Sequence, residues 1–257
     1  MPNKVFANFD EAVADIPDGA SICIDSWAVA GTPHNLVAAL RRRGVKDLTV
    51  ITSAMVPQIF PEEAFNFVAL LLPQMKKVIT TTVGIARLGG GAFIEQYVER
   101  GLEIEVTGFG NFSARLYAGA ARLVGIYSPV GPGTVLEEGK ERRVIDGVEC
   151  IFERPIRADY AFIMAWRADK LGNLVYRGIY RSAHPLMAMA ADVTIVEVED
   201  EIMEPGGIDP EHVVTPGIFV DRIVKIPEDG LSTHEKQKKL LYSLGEIEEA
   251  RKVMFKK

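Results

Sequence analysis

"ICIDSWAVAGTPHNLVAALRRRG", residues 22–44, reads as an apolar strand, then a loop of small residues closing on Gly31-Thr32-Pro33, then an amphipathic helix over 33–43. Three arginines, Arg41 to Arg43, end that helix, as expected where cations oppose the helix dipole. Strand, short loop and helix form the unit from which parallel sheets are assembled, because parallel neighbours need a crossover between them.

The unit recurs along the first half of the chain. "DLTVITS" (47–53) precedes a helical pattern at 61–72, "KKVITTTVG" (76–84) one at 91–100, and "EIEVTGF" (103–109) one at 111–121; "LVGIYSP" (123–129) closes the series. These apolar runs alternate little between polar and apolar residues, which predicts strands covered on both faces. After Pro129 the pattern changes. Residues 130–156 combine a Gly/Pro loop, a charged stretch and a hairpin turning at Asp146-Gly147, so antiparallel strands are expected here. Two strands around "DKLGN" (169–173) follow, then a helix near 184–191, "VTIVEVEDEI" (193–202) and "GIFVDRIVKI" (217–226). In the tail, Leu240, Leu241, Leu244, Ile247 and Val253 share one helical face, predicting an amphipathic helix over 232–257. The resulting expectation is an α/β fold with a mostly parallel sheet flanked by helices and additional antiparallel strands. With no repeat and no low-complexity linker, residues 1–257 are expected to form a single domain.

Composition narrows the function. The 257 residues are 48% hydrophobic, enough for a substantial core, and a net charge of −6 argues against nucleic acid or an anionic membrane as partner. Without a signal-like N-terminus or a run of about 18 apolar residues, the expected compartment is the cytoplasm. Cys23 and Cys150 lie in apolar stretches without a CxxC partner, which predicts core packing. His34, His184, His212 and His234 have no metal-ligand spacing and are expected at helix starts, in packing or on the surface, so no metal is expected.

The loop after the first strand has a single glycine, Gly31, and a bulky Trp27, which do not make the G-x-G-x-x-G that lets backbone approach a pyrophosphate. "GGG" (89–91) lacks the spacing and the Lys-Ser/Thr of a P-loop and reads as a turn; no G-x-S-x-G elbow occurs. What remains is Gly31-Thr32-Pro33 as a tight helix start, with Thr32 expected as N-cap and Pro33 near the first helical position, a place where amides attract an anion or an acyl oxygen. Glu137, Glu138 and Glu141 read as a solvated face, and Asp192, Glu197, Glu199 and Asp200 as solvated residues of an edge strand.

The sequence resembles the α (A-type) chains of family I CoA-transferases, such as those acting on 3-oxoacids and on glutaconate. Gly31, Pro33, Asn35 and Leu36 match the family's first loop and helix. "ARLYAGAARLVGIYSPVGPGTVLEEGKERRVIDG" (114–147), "PIRADYAFIMAWRADKLGNLVYRG" (155–178), "HPLMAMAADVTIVEVEDEI" (184–202) and "VVTPGIFVDRIVK" (213–225) are similar to its later motifs, in order, to about Ile226. The resemblance implies the three-layer fold shared with sugar-phosphate isomerases, and coenzyme A with acyl-CoA as substrates rather than a permanently bound cofactor. It also implies a β-type partner chain in a heterodimer or heterotetramer. A glutamate attacks the acyl-CoA thioester and becomes a glutamyl-CoA thioester. That nucleophile belongs to the partner, so no catalytic residue is assigned here.

The α chain's implied share is shaping the cleft. Expected substrate-binding residues are Gly31, Pro33, Phe109, Gly110, Asn111 and Arg122. The segment Thr107-Gly108-Phe109-Gly110-Asn111 matches one in which 3-oxoacid enzymes carry an active-site glutamine, here Phe109. Asp25, Ser26 and Ala28 replace glycines of the first loop. Arg122 stands at a glycine position and has two readings, a clamp for a substrate carboxylate or a surface cation after a helix. One component of an acyl-CoA or ring-opening hydrolase, and a non-catalytic acyl- or CoA-binding chain, are the alternatives to the transferase.

Overall fold

The computed structural model describes residues 3–25, 31–55, 67–83 and 90–227. A parallel sheet dominates it. In chain order come α1 (Phe9–Ala12), β1 (Ser21–Ile24), α2 (His34–Arg43), β2 (Leu48–Thr52), β3 (Met75–Thr80), α3 (Gly90–Val98), β4 (Glu103–Val106) and α4 (Phe109–Ala120). β5 (Ile126–Ser128), β6 (Arg142–Ile145), β7 (Val148–Glu153), β8 (Ala158–Asp169), β9 (Leu174–Val175), α5 (His184–Ala190), β10 (Ala191–Met203) and β11 (Arg222–Lys225) follow. The large sheet runs β11-β10-β8-β1-β2-β3-β4, all parallel, with β9 antiparallel on β8; a second, antiparallel sheet runs β5-β7-β6.

Alternation along the buried strands divides the core into two layers. Ile22, Ile24, Leu48, Val50, Phe162, Ile195 and Val224 point to one face and pack with Leu36, Val37 and Leu40 of α2. Cys23, Ile51, Ala161, Ile163, Val196 and Ile223 point to the other and pack with Phe112 and Leu116 of α4 and Met187 of α5. Strands buried on both faces have no polar side to show, which is why the sequence runs were continuously apolar. Both cysteines are buried and free, as their setting implied.

The parallel sheet, the helix ending at Arg43 and the Asp146-Gly147 hairpin agree with the sequence reading; the turn has φ +49° and +79° at its two central residues, as a two-residue hairpin loop requires. Several boundaries differ. The "LVGIYSP" strand leaves the parallel series and pairs with β7 instead. The described part of the expected 61–72 helix, Phe67–Gln74, is a 3₁₀ helix containing Pro73, whose ring cannot continue an α-helical ladder. α4 starts at Phe109, two residues early. β9 is only two residues long, and α1 was not anticipated. The amphipathic tail at 232–257 lies outside the described residues.

Candidate active site

β1 pairs with β2 on one side and with β8 on the other, and the chain leaves these two strands in opposite directions along the sheet. Such a switch point, at the carboxyl ends of parallel strands, is where open α/β sheets bind ligands. Two helices begin beside it, α2 and α5, and neither is capped by a side chain at its own N-cap position, Pro33 and Ala183 respectively.

Each helix start instead meets a carboxylate from the other unit. Glu197, in the middle of β10, accepts from the Asn35 N–H at 2.9 Å, the Leu36 N–H at 3.2 Å and the Asn35 side-chain amide at 2.6 Å. Asp25, the residue after β1, accepts the Ala183 N–H at 3.1 Å and the hydroxyls of Ser53 and Ser182. Thus the β1–α2 unit caps α5 and the α5–β10 unit caps α2. The expectation that amides at the start of α2 attract an anion is met by an internal one. The reading of Glu197 as a solvated edge residue is overturned: β10 lies between β8 and β11, and Glu197 is 1% exposed. Thr32 is not the N-cap; Pro33 holds that position, and the helix begins at His34.

His184 joins the two units again. Its Nε2–H donates to the Gly31 carbonyl at 2.8 Å, because a carbonyl can only accept. The ring is fully buried and stacks on Tyr176, whose hydroxyl is 2.7 Å from Thr215 Oγ1. Burial drives the His184 pKa below the usual imidazole value, against the pull of Asp25 and of the Gly31 hydrogen bond. Burial alone would raise the Asp25 carboxyl, yet nearby His184 and the donors from Ser182, Ser53 and Ala183 hold it below the ordinary carboxylate value. Gly31 has φ +70°, and a Cβ there would sit 2.7 Å from the Tyr180 carbonyl oxygen, so glycine is required twice over.

The other expected binding residues separate into three settings. Phe109 and Gly110 open α4 at the same carboxyl edge, three strands from β1, about 14 Å along the sheet. Phe109 is 52% exposed, and nothing lies within 4 Å of where a Gly110 Cβ would stand. The Asn111 side chain is committed elsewhere: it accepts from Ser128 Oγ at 2.6 Å and donates to Glu153 Oε1 at 3.1 Å. Its side chain is therefore not available to a substrate, which leaves only its backbone N–H. Arg122 lies past the far end of α4, at the amino edge of the sheet, 3.8 Å from Asp192, which also accepts from Arg157 at 2.7 Å. Its φ of +57° is a left-handed conformation that glycine adopts more readily than arginine.

Four polar atoms at or beyond the carboxyl ends of the strands are buried without a hydrogen-bond partner among the described residues: Thr32 Oγ1, Thr107 Oγ1, His184 Nδ1 and Glu199 Oε2. Each such atom costs about 1–3 kcal/mol when nothing completes it. Among the described residues no group of His, Cys, Asp and Glu could hold a metal ion, and no helix is long and apolar enough to cross a membrane.

Residues 6–226 match the family model for coenzyme A transferase. The chain belongs to that family. It is 37% identical over 227 residues to the A-type subunit of the 3-oxoadipate CoA-transferase of Pseudomonas putida, covering 88% of this chain and 95% of that protein. With the A-type subunit of a probable succinyl-CoA:3-ketoacid coenzyme A transferase of Bacillus subtilis it shares 37% over 221 residues, 86% of this chain and 89% of the relative. Among solved structures, an acyl-CoA transferase from Escherichia coli O157:H7 in a thioester complex with CoA superposes with a TM-score of 0.73 at 21% identity, over 90% of this chain and 48% of that one. The coenzyme A transferase chain therefore spans about half the length of that chain and nearly all of the A-type relatives. The family, the α-chain type, the transferase class and the fold expected from the sequence are borne out.

Sequence reasoning missed Asp25, Ser182, Glu197 and the role of His184. One signal was available: a carboxylate immediately after a fully apolar parallel strand, as in "ICID", lies at the sheet's carboxyl edge and cannot be an ordinary surface charge. For Glu197 the sign was a single glutamate inside an unbroken β-branched run.

Proposed function

We propose that this CoA-transferase chain works with a β-type partner to move CoA from an acyl-CoA to a carboxylic acid, in the cytoplasm. The observation that carries this reading is the end-to-end match to A-type subunits, whose name implies a second chain. In the proposed cycle a partner glutamate oxygen attacks the thioester carbon and CoA thiolate leaves, giving an acyl–glutamyl anhydride. The thiolate then attacks the glutamyl carbonyl, releasing the donor acid and leaving glutamyl-CoA. The acceptor carboxylate repeats the two steps in reverse.

This chain's proposed part is the cleft wall along the carboxyl edge. Gly31 and Pro33 would line it beside the switch point and Phe109 would bound the acyl group three strands away, while the backbone N–H groups of Gly110 and Asn111 would supply the donors that Phe109 cannot. The exposure of Phe109 supports this: an aromatic ring at the first turn of a helix is not buried in the core. The purified chain alone is expected to exchange no labelled CoA between carboxylates, and the two-chain complex to do so; robust exchange by this chain alone would overturn the reading. Phe109→Gln in the complex is expected to shift acyl preference, or the ratio of transfer to hydrolysis, tenfold or more, equivalent to about 1.4 kcal/mol. Unchanged kcat/KM across short, branched and aromatic acyl-CoAs would remove Phe109 from the site.

A further inference from the structure

We propose that Asp25 and His184 are positioning residues for acyl-CoA, acting through Gly31. The proposal rests on the transferase reading and adds to it a device that ties both ends of the first loop to one stretch of chain. Asp25 and Gly31 are the two ends of the segment linking β1 to the start of α2, and both are fastened to the same stretch, Tyr180 to His184. Asp25 receives Ser182 Oγ and the Ala183 N–H; Gly31 receives His184 Nε2–H and lies against the Tyr180 carbonyl.

The fastening is built at a cost. Ser182 has φ +33° and ψ −132°, a conformation that a residue with a Cβ adopts only when its surroundings impose it, at about 1–3 kcal/mol. That conformation lets residue 182 offer its hydroxyl, and residue 183 its N–H, to a single carboxylate. The His184 ring is held to one tautomer: with Nε2 donating to Gly31 O, Nδ1 is the bare nitrogen, buried and without a partner among the described residues. Tyr176, itself hydrogen-bonded to Thr215, lies nearly parallel to the ring, with centroids 6.1 Å apart. An apolar pair would fill the same space without burying a carboxylate beside an imidazole, so stability alone does not account for this arrangement. What it provides is a fixed height and direction for the Gly31 carbonyl, and hence for Thr32 and Pro33, which are buried at the carboxyl edge of the sheet.

The test uses the assembled two-chain enzyme carrying Asp25→Asn, His184→Leu or His184→Gln. The glutamine amide can replace the ring Nε2–H, and leucine cannot. Asp25→Asn and His184→Leu are expected to raise KM for acyl-CoA tenfold or more with kcat within threefold, and His184→Gln to stay within threefold of wild type in both. Assembled variants that melt earlier but keep KM within twofold would show a merely structural role and overturn the proposal, as would a His184→Gln variant as impaired as leucine. The ring ¹⁵N shifts of His184 provide a readout that needs neither turnover nor a variant. A neutral Nε2–H tautomer held from pH 6 to 8 supports the fastening; a Nδ1–H tautomer, or a ring titrating near pH 6.5, overturns it. A wild-type complex that transfers no CoA while showing that tautomer would defeat the transferase reading and leave the fastening intact.

Discussion

Glu197 and Glu153 are both 1% exposed, yet their surroundings have little in common. Glu197 is satisfied by two backbone amides and one side-chain amide at the start of α2. Glu153, at the end of β7, is satisfied by side chains: Lys140 at 2.8 Å, Asn111 at 3.1 Å and Arg115 at 3.8 Å. Arg115 in turn pairs with Glu105 at 2.8 Å, and Glu105 with Lys77 at 2.7 Å, so a chain of alternating charges runs from the large sheet to the small one. The difference is one of what gets fixed. Backbone donors cannot turn away, so Glu197 dictates the path of the main chain at the switch point. Side chains can find new partners, so Glu153 fastens the small antiparallel sheet to α4 with some tolerance.

Glu197→Ala should produce the largest loss if that distinction holds. It strands three donors, two of them main-chain, and about 3 kcal/mol of stability is expected to disappear in urea unfolding of the full chain. A loss under about 1 kcal/mol would mean that water satisfies the start of α2 as well as the carboxylate does, and the contrast would collapse. Glu153→Ala should cost less, about 2 kcal/mol, although breaking a buried pair can cost 3–5 kcal/mol. Lys140 can reach solvent, and Arg115 keeps Glu105 and the Arg154 carbonyl. Equal losses at the two glutamates would remove the distinction between main-chain and side-chain satisfaction.

Acidification separates the two sites further, because His184 titrates at the switch point and, among the described residues, no histidine belongs to the Glu153 network. Its pKa is lower folded than unfolded, so the unfolded chain takes up the proton first. The stability it contributes is complete above about pH 6.5 and is lost as pH falls toward the folded value, by at most about 1.4 kcal/mol per pH unit. Asp25, also depressed, adds a loss only below its ordinary value near 4. Unfolding curves at pH 6.5 and 5.5 should therefore differ in the wild type and differ less in His184→Gln; an unchanged difference would place the titrating group elsewhere. The smallest effect is expected at Arg122→Gly. It relieves a positive φ and gives up only an exposed ion pair, so stability should rise by up to about 1 kcal/mol. A measured loss would give the Arg122–Asp192 pair a weight that its exposure does not suggest.

The large sheet was legible because its strands are apolar on both sides, and α2 because Arg41–Arg43 marks its end. The small sheet was half legible: Asp146-Gly147 announced its hairpin, but nothing in "GIYSP" says that this strand should leave the parallel series. The switch-point charges were illegible for a different reason. Asp25 meets Ala183 from 158 positions away, and Glu197 meets Asn35 from 162. A carboxylate's partner at such a distance is set by the order of strands, which local patterns do not encode. Phe109 could be singled out only by comparison with what resembling chains carry there, since by itself it is one more aromatic residue at a helix start.

The exchanged caps also bear on how the chain is made. At about 5–20 residues per second, Glu197 is synthesised roughly 8–32 s after Asn35. For that interval the first turn of α2 has emerged from the ribosome without the carboxylate that quiets its amides, and α5 appears only when its own cap, Asp25, has long been waiting. The first βα unit must therefore remain provisional until Glu197 has been translated. A nascent chain stalled before residue 197 should be a client for chaperones, whereas one stalled after Lys225 should not.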